Sequence, residues 1–474
     1  MKRWVPLAAG IAVAVCFSAA AEEIDPQKQW PAWRGPLATG VAPHGDPPIE
    51  WSETKNVRWK TKLPAPGHAS PIVWGDRVYV LAAVRTDKEG GSPAGAAKPA
   101  AALPAMGAVL PAVLTAEQET PPPVPPAPAP QGGPPRPPAP THVHRFVVLA
   151  LDRATGKTLW ETTVREEVPH EAGHVTASLA SASPVTDGER VYAFFGSRGL
   201  HCLDRAGKVI WSKDLGRMRT RNEFGEGASP ALYGDTLVVN WDHEGDSFIL
   251  ALDKRTGEER WRVAREEPTS WSTPLVVRDG ERTLVAVSAT KRVRAYDLKS
   301  GAVVWEIGGL GPNCIPTPVA DGERLFAMSG YREAAGFAVR YPGASGDLTT
   351  GDRVAWRIDS GLSYVPSPLL YDGTLYMLER FGNLLSSHDF KTGKPHYAKH
   401  RVEAVSNVYA SPVGAAGRVY LLDREGTAAV FRHGPTFELL AQNTLDDDFD
   451  ATPAIAGREL FLRGHAHLYC IANP

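Results

Sequence analysis

The chain has 474 residues with 51 basic against 53 acidic side chains, a balance that offers no basic stripe to a nucleic acid. Its hydrophobic fraction of 43% can fill a large core, and 13 Trp, 45 Gly and 42 Pro against 5 Met point to many short strands and turns. Four cysteines far apart in sequence and without CxxC spacing argue against a cysteine metal cluster and a disulfide framework, with one pair still free to meet in space.

Met1-Lys2-Arg3, an apolar run from Val5 to Phe17 and Ser18-Ala19-Ala20-Ala21 read as a secretory signal peptide cleaved near Ala21. The apolar run is short for a bilayer span. Val15 before Cys16 is a poor match to a lipoprotein signal, which remains the minor alternative. Loss of Lys2 and Arg3 leaves 49 basic against 53 acidic side chains, a formal charge of −4. The expected protein is periplasmic or secreted, monomeric, and without an integral membrane segment after cleavage. Cys202, Cys314 and Cys470 then remain, and each reads as a small buried apolar side chain.

From residue 22 onward the chain reads as one domain built from a repeat. Each unit starts with Ser or Thr before Pro, at Pro71, Pro184, Pro230, Pro274, Pro318, Pro368, Pro412 and Pro453, spaced by 113, 46, 44, 44, 50, 44 and 41 residues. Six of these intervals have the length of a four-stranded propeller blade. In the third unit the pattern predicts strands at Pro230–Leu232, Thr236–Asn240 and Ser247–Asp253, then an Arg255-Thr256-Gly257 turn and an outer strand centred on Trp261. Gly after Thr supplies positive φ for the turn, and the Asp before it caps turn amides. Trp160, Trp211, Trp261, Trp305 and Trp356 fall at one phase of the outer strands and read as wedges between neighbouring blades.

The first interval carries an Ala/Pro-rich insertion at about 85–143, between the second and third strands of blade 1. Residues 121–140 hold twelve prolines, which resist sheet pairing. The eighth unit ends at Pro474 without an outer strand. Asn56-Val57-Arg58-Trp59-Lys60 has a Trp at the right phase and no start signal, so it is expected to complete the last blade. The predicted architecture is an all-β, eight-bladed β-propeller of four-stranded blades closed by this N-terminal strand.

The motif carried by Ala150, Asp152, Thr155, Gly156 and Trp160 resembles the tryptophan-docking repeat of quinoprotein dehydrogenase propellers and the repeats of the outer-membrane assembly lipoprotein BamB. Trp30-Pro31-Ala32-Trp33-Arg34-Gly35-Pro36, Gly67-His68-Ala69-Ser70-Pro71 and Tyr409-Ala410-Ser411-Pro412-Val413 resemble secreted bacterial PQQ-like propellers of unassigned activity. The resemblance covers roughly residues 30 to 474 and implies the fold. For the quinoprotein branch it also implies pyrroloquinoline quinone (PQQ) with calcium on the propeller axis, an Asp base and, in many members, adjacent disulfide-bonded cysteines. No adjacent cysteine pair and no matching calcium or base motif is present, so no such role is assigned and no cofactor is expected.

A site is therefore sought where the inner strands begin. The residues before each Ser/Thr-Pro converge on one end of the channel and include His68, Glu226, Trp271, Asn313, Tyr364, Tyr409 and Asp450, with His170, Glu171 and His174 from a longer segment. His170, Glu171 and His174 have donor types that suit a divalent metal but no recognised spacing, and no metal is assigned. Trp271 is expected to plug the channel, with stacking on a flat ligand as the alternative. Glu226 and Asp450 have the chemistry of an acid and a base, yet read more simply as carboxylates bonded to loop amides. No residue is assigned a catalytic role. The sequence thus predicts a non-enzymatic binding or scaffold propeller whose partner is a cell-envelope protein or a small ligand. The alternatives are a PQQ-dependent oxidoreductase and a carbohydrate- or polymer-binding module, the latter resting on Trp271, Tyr364 and Tyr409.

Overall fold

A computed structural model describes residues 24–90, 138–380 and 382–474. The expected signal peptide and most of the expected Pro-rich insertion lie outside these residues. Eight antiparallel sheets follow one another around a ring, each meandering from an inner to an outer strand, which is an eight-bladed β-propeller. Blade 3 shows the unit: Ala231–Tyr233, Thr236–Trp241, Ser247–Asp253 and Glu259–Arg265 pair in sequence order. No described helix is long and apolar enough to cross a membrane.

The local turn chemistry accounts for the repeat. Asp152 Oδ1 accepts the Thr155 amide at 2.8 Å and the Thr155 hydroxyl at 2.6 Å, while Gly156 takes φ of 73°. Asp389 does the same for Thr392 at 2.7 and 2.6 Å, with Gly393 at φ 72°. The glycine is needed twice over, because a Cβ on Gly257 would lie 2.8 Å from the Trp211 ring of the preceding blade. Trp160, Trp211, Trp261 and Trp356 each set their ring against the turn glycine of the following blade and donate the indole N–H to a turn carbonyl, of Arg205, Lys254, Leu298 and Phe390 respectively. These four residues are the expected wedges.

Trp305 is held differently. It is fully buried, and its indole N–H has no partner among the described residues. In blade 5 the short Asp-to-Gly turn is replaced by residues 341–353, from which Gly346–Asp347 adds a fifth, parallel strand beside Trp305 and Glu306 of blade 4. The insertion covers the ring that a turn glycine would otherwise touch.

Ring closure follows the expectation. Val57–Lys62 pairs antiparallel with His467–Ala472, placing Trp59 opposite Cys470. Trp59 then repeats the wedge, donating to the Arg153 carbonyl at 2.9 Å and covering Gly156 of blade 1. In blade 1 the second and third strands run longer than expected, to Glu89 and from His142, and these two residues are paired. The insertion thus springs from the end of an extended hairpin. Apolar clusters fill the blade interfaces, as where Tyr79 and Phe146 of blade 1 meet Val191 and Leu203 of blade 2. Cys202, Cys314 and Cys470 are buried and unpaired, and burial pushes each thiol up to about 12.

Candidate functional site in the axial funnel

The Ser/Thr of each start signal does more than mark a turn. The Ser70 amide donates to the Ser183 hydroxyl at 2.9 Å, the Ser183 amide to Ser229 at 2.9 Å, and the Ser229 amide to Thr273 at 3.0 Å. The chain of bonds continues through Thr317, Ser367 and Ser411 to Thr452. Seven blade junctions are tied in this way around the axis. At the eighth, the Ser70 hydroxyl is buried without a partner among the described residues, and Arg463 instead donates to the Ala69 carbonyl at 2.9 Å. Proline after each Ser/Thr has no amide to leave unpaired.

Within this ring lies a cavity of about 480 Å³. Its floor is the N-terminal segment. Trp30 bridges Val73 of blade 1, the Pro31 carbonyl accepts from Thr186 of blade 2, and the Thr39 carbonyl accepts from Leu370 of blade 6. Ala42 then donates to Gly414 of blade 7, so residues 30–42 cross the axis. Arg34 is buried here, and its terminal nitrogens donate to carbonyls alone, of Pro368 at 2.7 Å, Pro412 at 2.9 Å and Thr39 at 3.1 Å, while its Nε has no partner among the described residues. Burial lowers its guanidinium to about 9. Trp33 faces up into the cavity.

Seven of the ten expected residues line this cavity: His68, His174, Glu226, Trp271, Tyr364, Tyr409 and Asp450. Trp271 does not plug it. Its indole N–H donates to the Gly225 carbonyl at 2.7 Å and its backbone amide to Cys314, which fixes the ring in the wall and leaves the space open. Tyr364 stacks on Tyr331 with centroids 4.9 Å apart, and Arg424 lies 4.4 Å over the Tyr409 ring. Asn313 is buried at the edge, 3.5 Å from the Tyr364 hydroxyl.

His170, Glu171 and His174 do not converge. His170 Nε2 is 2.6 Å from the Met218 carbonyl, and Glu171 accepts the Thr220 amide and hydroxyl at 2.9 and 2.6 Å. His174 packs edge-on against Phe224, with Nδ1 on the Thr176 hydroxyl. Burial raises the Glu171 carboxyl and lowers His170.

The two carboxylates that reach the cavity are both engaged. Glu226 accepts the Ser197 amide and hydroxyl, each at 2.6 Å, and Arg198 at 3.1 Å. Asp450 Oδ1 accepts Arg424 at 2.6 Å, while Oδ2 lies 2.9 Å from His465 Nε2 and 3.2 Å from His68 Nε2. Burial, the largest influence on Asp450, opposes ionisation, yet His465, Arg424 and His68 together hold its carboxyl at about 2. The hydrogen bond to Asp450 raises His465, whereas burial pulls His68 down to about 4. His465, Arg424, Trp33 and Tyr331 were not anticipated. None of them precedes a Ser/Thr-Pro; His465 sits in the turn between the second and third strands of blade 8.

Residues 144–379 match the profile of the family described as "Outer membrane protein assembly factor BamB". A protein of that name from Yersinia pestis is 22% identical over 306 residues, covering 63% of this chain and 62% of its own length. A lanthanide-dependent methanol dehydrogenase of Methylorubrum extorquens is 34% identical over 90 residues, which is 17% of this chain and 14% of that protein. The chain therefore spans less than two thirds of these relatives. Among solved structures, the quinohemoprotein alcohol dehydrogenase from Comamonas testosteroni superposes with a TM-score of 0.58 at 12% identity, covering 95% of this chain and 81% of that one. A europium-containing methanol dehydrogenase gives 0.56 at 10% identity, covering 93% and 90%. These likenesses concern the fold.

Proposed function

For a chain that belongs to the BamB-like family of PQQ-repeat propellers, we propose a binding protein of the cell envelope, periplasmic or secreted, that takes its ligand or partner group in the axial funnel. The observation that carries this reading is the state of the funnel wall. Its two carboxylates are held by the protein's own Arg198 and Arg424, so the surface left to a ligand is aromatic rings, hydroxyls and the imidazoles of His68 and His174. Such a wall binds through stacking and hydrogen bonds, and leaves neither carboxylate free to act as a base. Trp271, Tyr364 and Tyr409 suit the flat faces of sugars or other ring compounds.

The quinoprotein reading has the fold likeness in its favour, and the wall speaks against it. PQQ is a planar tricarboxylate, and among the described residues no lysine or arginine lines the funnel, Arg198 and Arg424 being held on Glu226 and Asp450. The described cysteines stand far apart, so none forms an adjacent-cysteine ring. Titration of the full mature chain with PQQ and calcium, and separately with cell-wall glycan fragments, tests the proposal. The expected result is no quinone spectrum and no dye-linked alcohol oxidation, with glycan binding abolished in a Trp271→Ala, Tyr364→Ala, Tyr409→Ala variant. Stoichiometric PQQ binding with alcohol oxidation would replace this reading by the oxidoreductase one.

A further inference from the structure

We propose that His68, Asp450 and His465 form a site for one divalent transition-metal ion, zinc being the natural occupant, at the rim of the funnel. The inference stands on the geometry of the three side chains and does not rest on the binding role proposed above. Their donor atoms all lie within 4.8 Å of one another. Both imidazoles turn Nε2 toward the same oxygen, Asp450 Oδ2, at 3.2 and 2.9 Å. The two rings stack at 5.7 Å with 18° between their planes. The two N···O separations of 2.9 and 3.2 Å are close to those of ligands sharing one face of a metal bound at about 2.0–2.2 Å. Two imidazoles and a carboxylate suit zinc, copper, nickel or ferrous iron, and disfavour calcium, which prefers oxygen.

The surroundings support coordination. Arg424 grips both oxygens of Asp450, its Nε donating to Oδ1 at 2.6 Å and a terminal nitrogen to Oδ2 at 3.3 Å, and so fixes the carboxylate beside the imidazoles, the orienting role that outer partners play at metal sites. Charges face the site from several sides: Arg424 from blade 7, Arg463 beside His68, and Asp447 and Asp448 beside His465. The two acidic neighbours offset the two arginines, leaving Asp450 to balance the ion. His68 and Asp450 border both the funnel and a second hollow of about 250 Å³ lined by Thr176, His144 and Arg424. Three protein ligands beside open space leave a coordination position for a water or for an oxygen anion of a bound molecule.

The full mature chain, stripped with a chelator, is titrated with Zn²⁺ by calorimetry and with Co²⁺ by visible absorption. We expect one ion per chain and a d–d spectrum of nitrogen and oxygen ligation. His68→Gln and His465→Gln should each weaken binding well beyond the roughly 10–100-fold that loss of an outer partner costs, while His170→Gln binds as the parent does. A measurement on the unaltered protein guards against misfolded variants: anomalous difference density at the zinc edge should lie among the three side chains. Density elsewhere, parent-like affinity in either His variant, or no stoichiometric binding overturns the site and shows a hydrogen-bonded Asp–His cluster instead. None of these outcomes bears on the glycan titration, so the two proposals fail separately.

Discussion

The closing wedge makes the most demanding prediction. Trp59 belongs to a strand that reaches its blade from the far end of the chain, and it is 8% exposed. Truncating a buried Trp to Ala costs about 3–5 kcal/mol. The lost bond to the Arg153 carbonyl adds about 1 kcal/mol. Trp59→Ala should therefore lose about 4–6 kcal/mol, as much as Trp261→Ala at an ordinary junction, read as the guanidinium midpoint by far-ultraviolet circular dichroism. Gly156→Ala supplies the second arm. The new Cβ would lie 2.6 Å from the Trp59 ring and 2.6 Å from the Thr61 hydroxyl, at a φ of +73°. Left-handed strain costs about 1–2 kcal/mol and overpacking about 1–3 kcal/mol. In the Trp59→Ala background the overlap with the indole vanishes while the Thr61 contact and the strain remain. The double variant should thus be more stable than the sum of the single ones by about 0.5–3 kcal/mol. Strict additivity would refute the wedge, and an unchanged midpoint for Trp59→Ala would refute closure by this strand.

Arg34→Met should leave the carbonyls of Pro368, Pro412 and Thr39 without their donor, at about 1–3 kcal/mol for each buried group, and loosen the floor of the funnel; amide exchange of residues 30–42 should rise, and unchanged protection would mean that the arginine does not anchor them. His201 is buried between Ser212 and the Arg198 carbonyl, and burial lowers it to about 4. Because the unfolded chain takes up its proton near pH 6.5 and the fold refuses it until about 4, stability should fall by about 1.4 kcal/mol per pH unit across that window. In His201→Gln the loss between pH 7.5 and pH 5 should shrink by about 2 kcal/mol, and an identical pH profile would contradict the assignment. Replacing residues 91–137 by a short Gly-Ser turn should leave the midpoint nearly unchanged, since Glu89 and His142 are already paired and loop entropy grows slowly with length; a large destabilisation would show that the insertion packs on the ring.

Blade number, strand order and closure were legible in the residues because they rest on short-range chemistry. An Asp that caps its own turn, a Gly at positive φ and a Trp a few residues later act within one hairpin, and their recurrence counts the blades. The same reasoning placed seven of ten funnel residues, since the start of every inner strand must face the axis. It failed where a contact joins distant parts of the chain. Trp271 was expected to fill the channel, but only the position of the Gly225 carbonyl in the neighbouring blade turns its ring into the wall. Trp305 shares the spacing of the other wedges, yet the insertion at 341–353 decides what covers it.

The sequence by itself determined that this is a closed ring of eight sheets, because each blade is written in local turns and alternation. The tertiary structure alone decided that the funnel is floored and that His465 joins His68 and Asp450, two of the expected channel residues, at its rim. Those residues come from the entry to blade 1 and from blade 8, nearly 400 positions apart. Ring closure brings the two ends of the chain to one junction, and His465 reaches it from a turn between strands, where no start signal marks a residue as facing the axis.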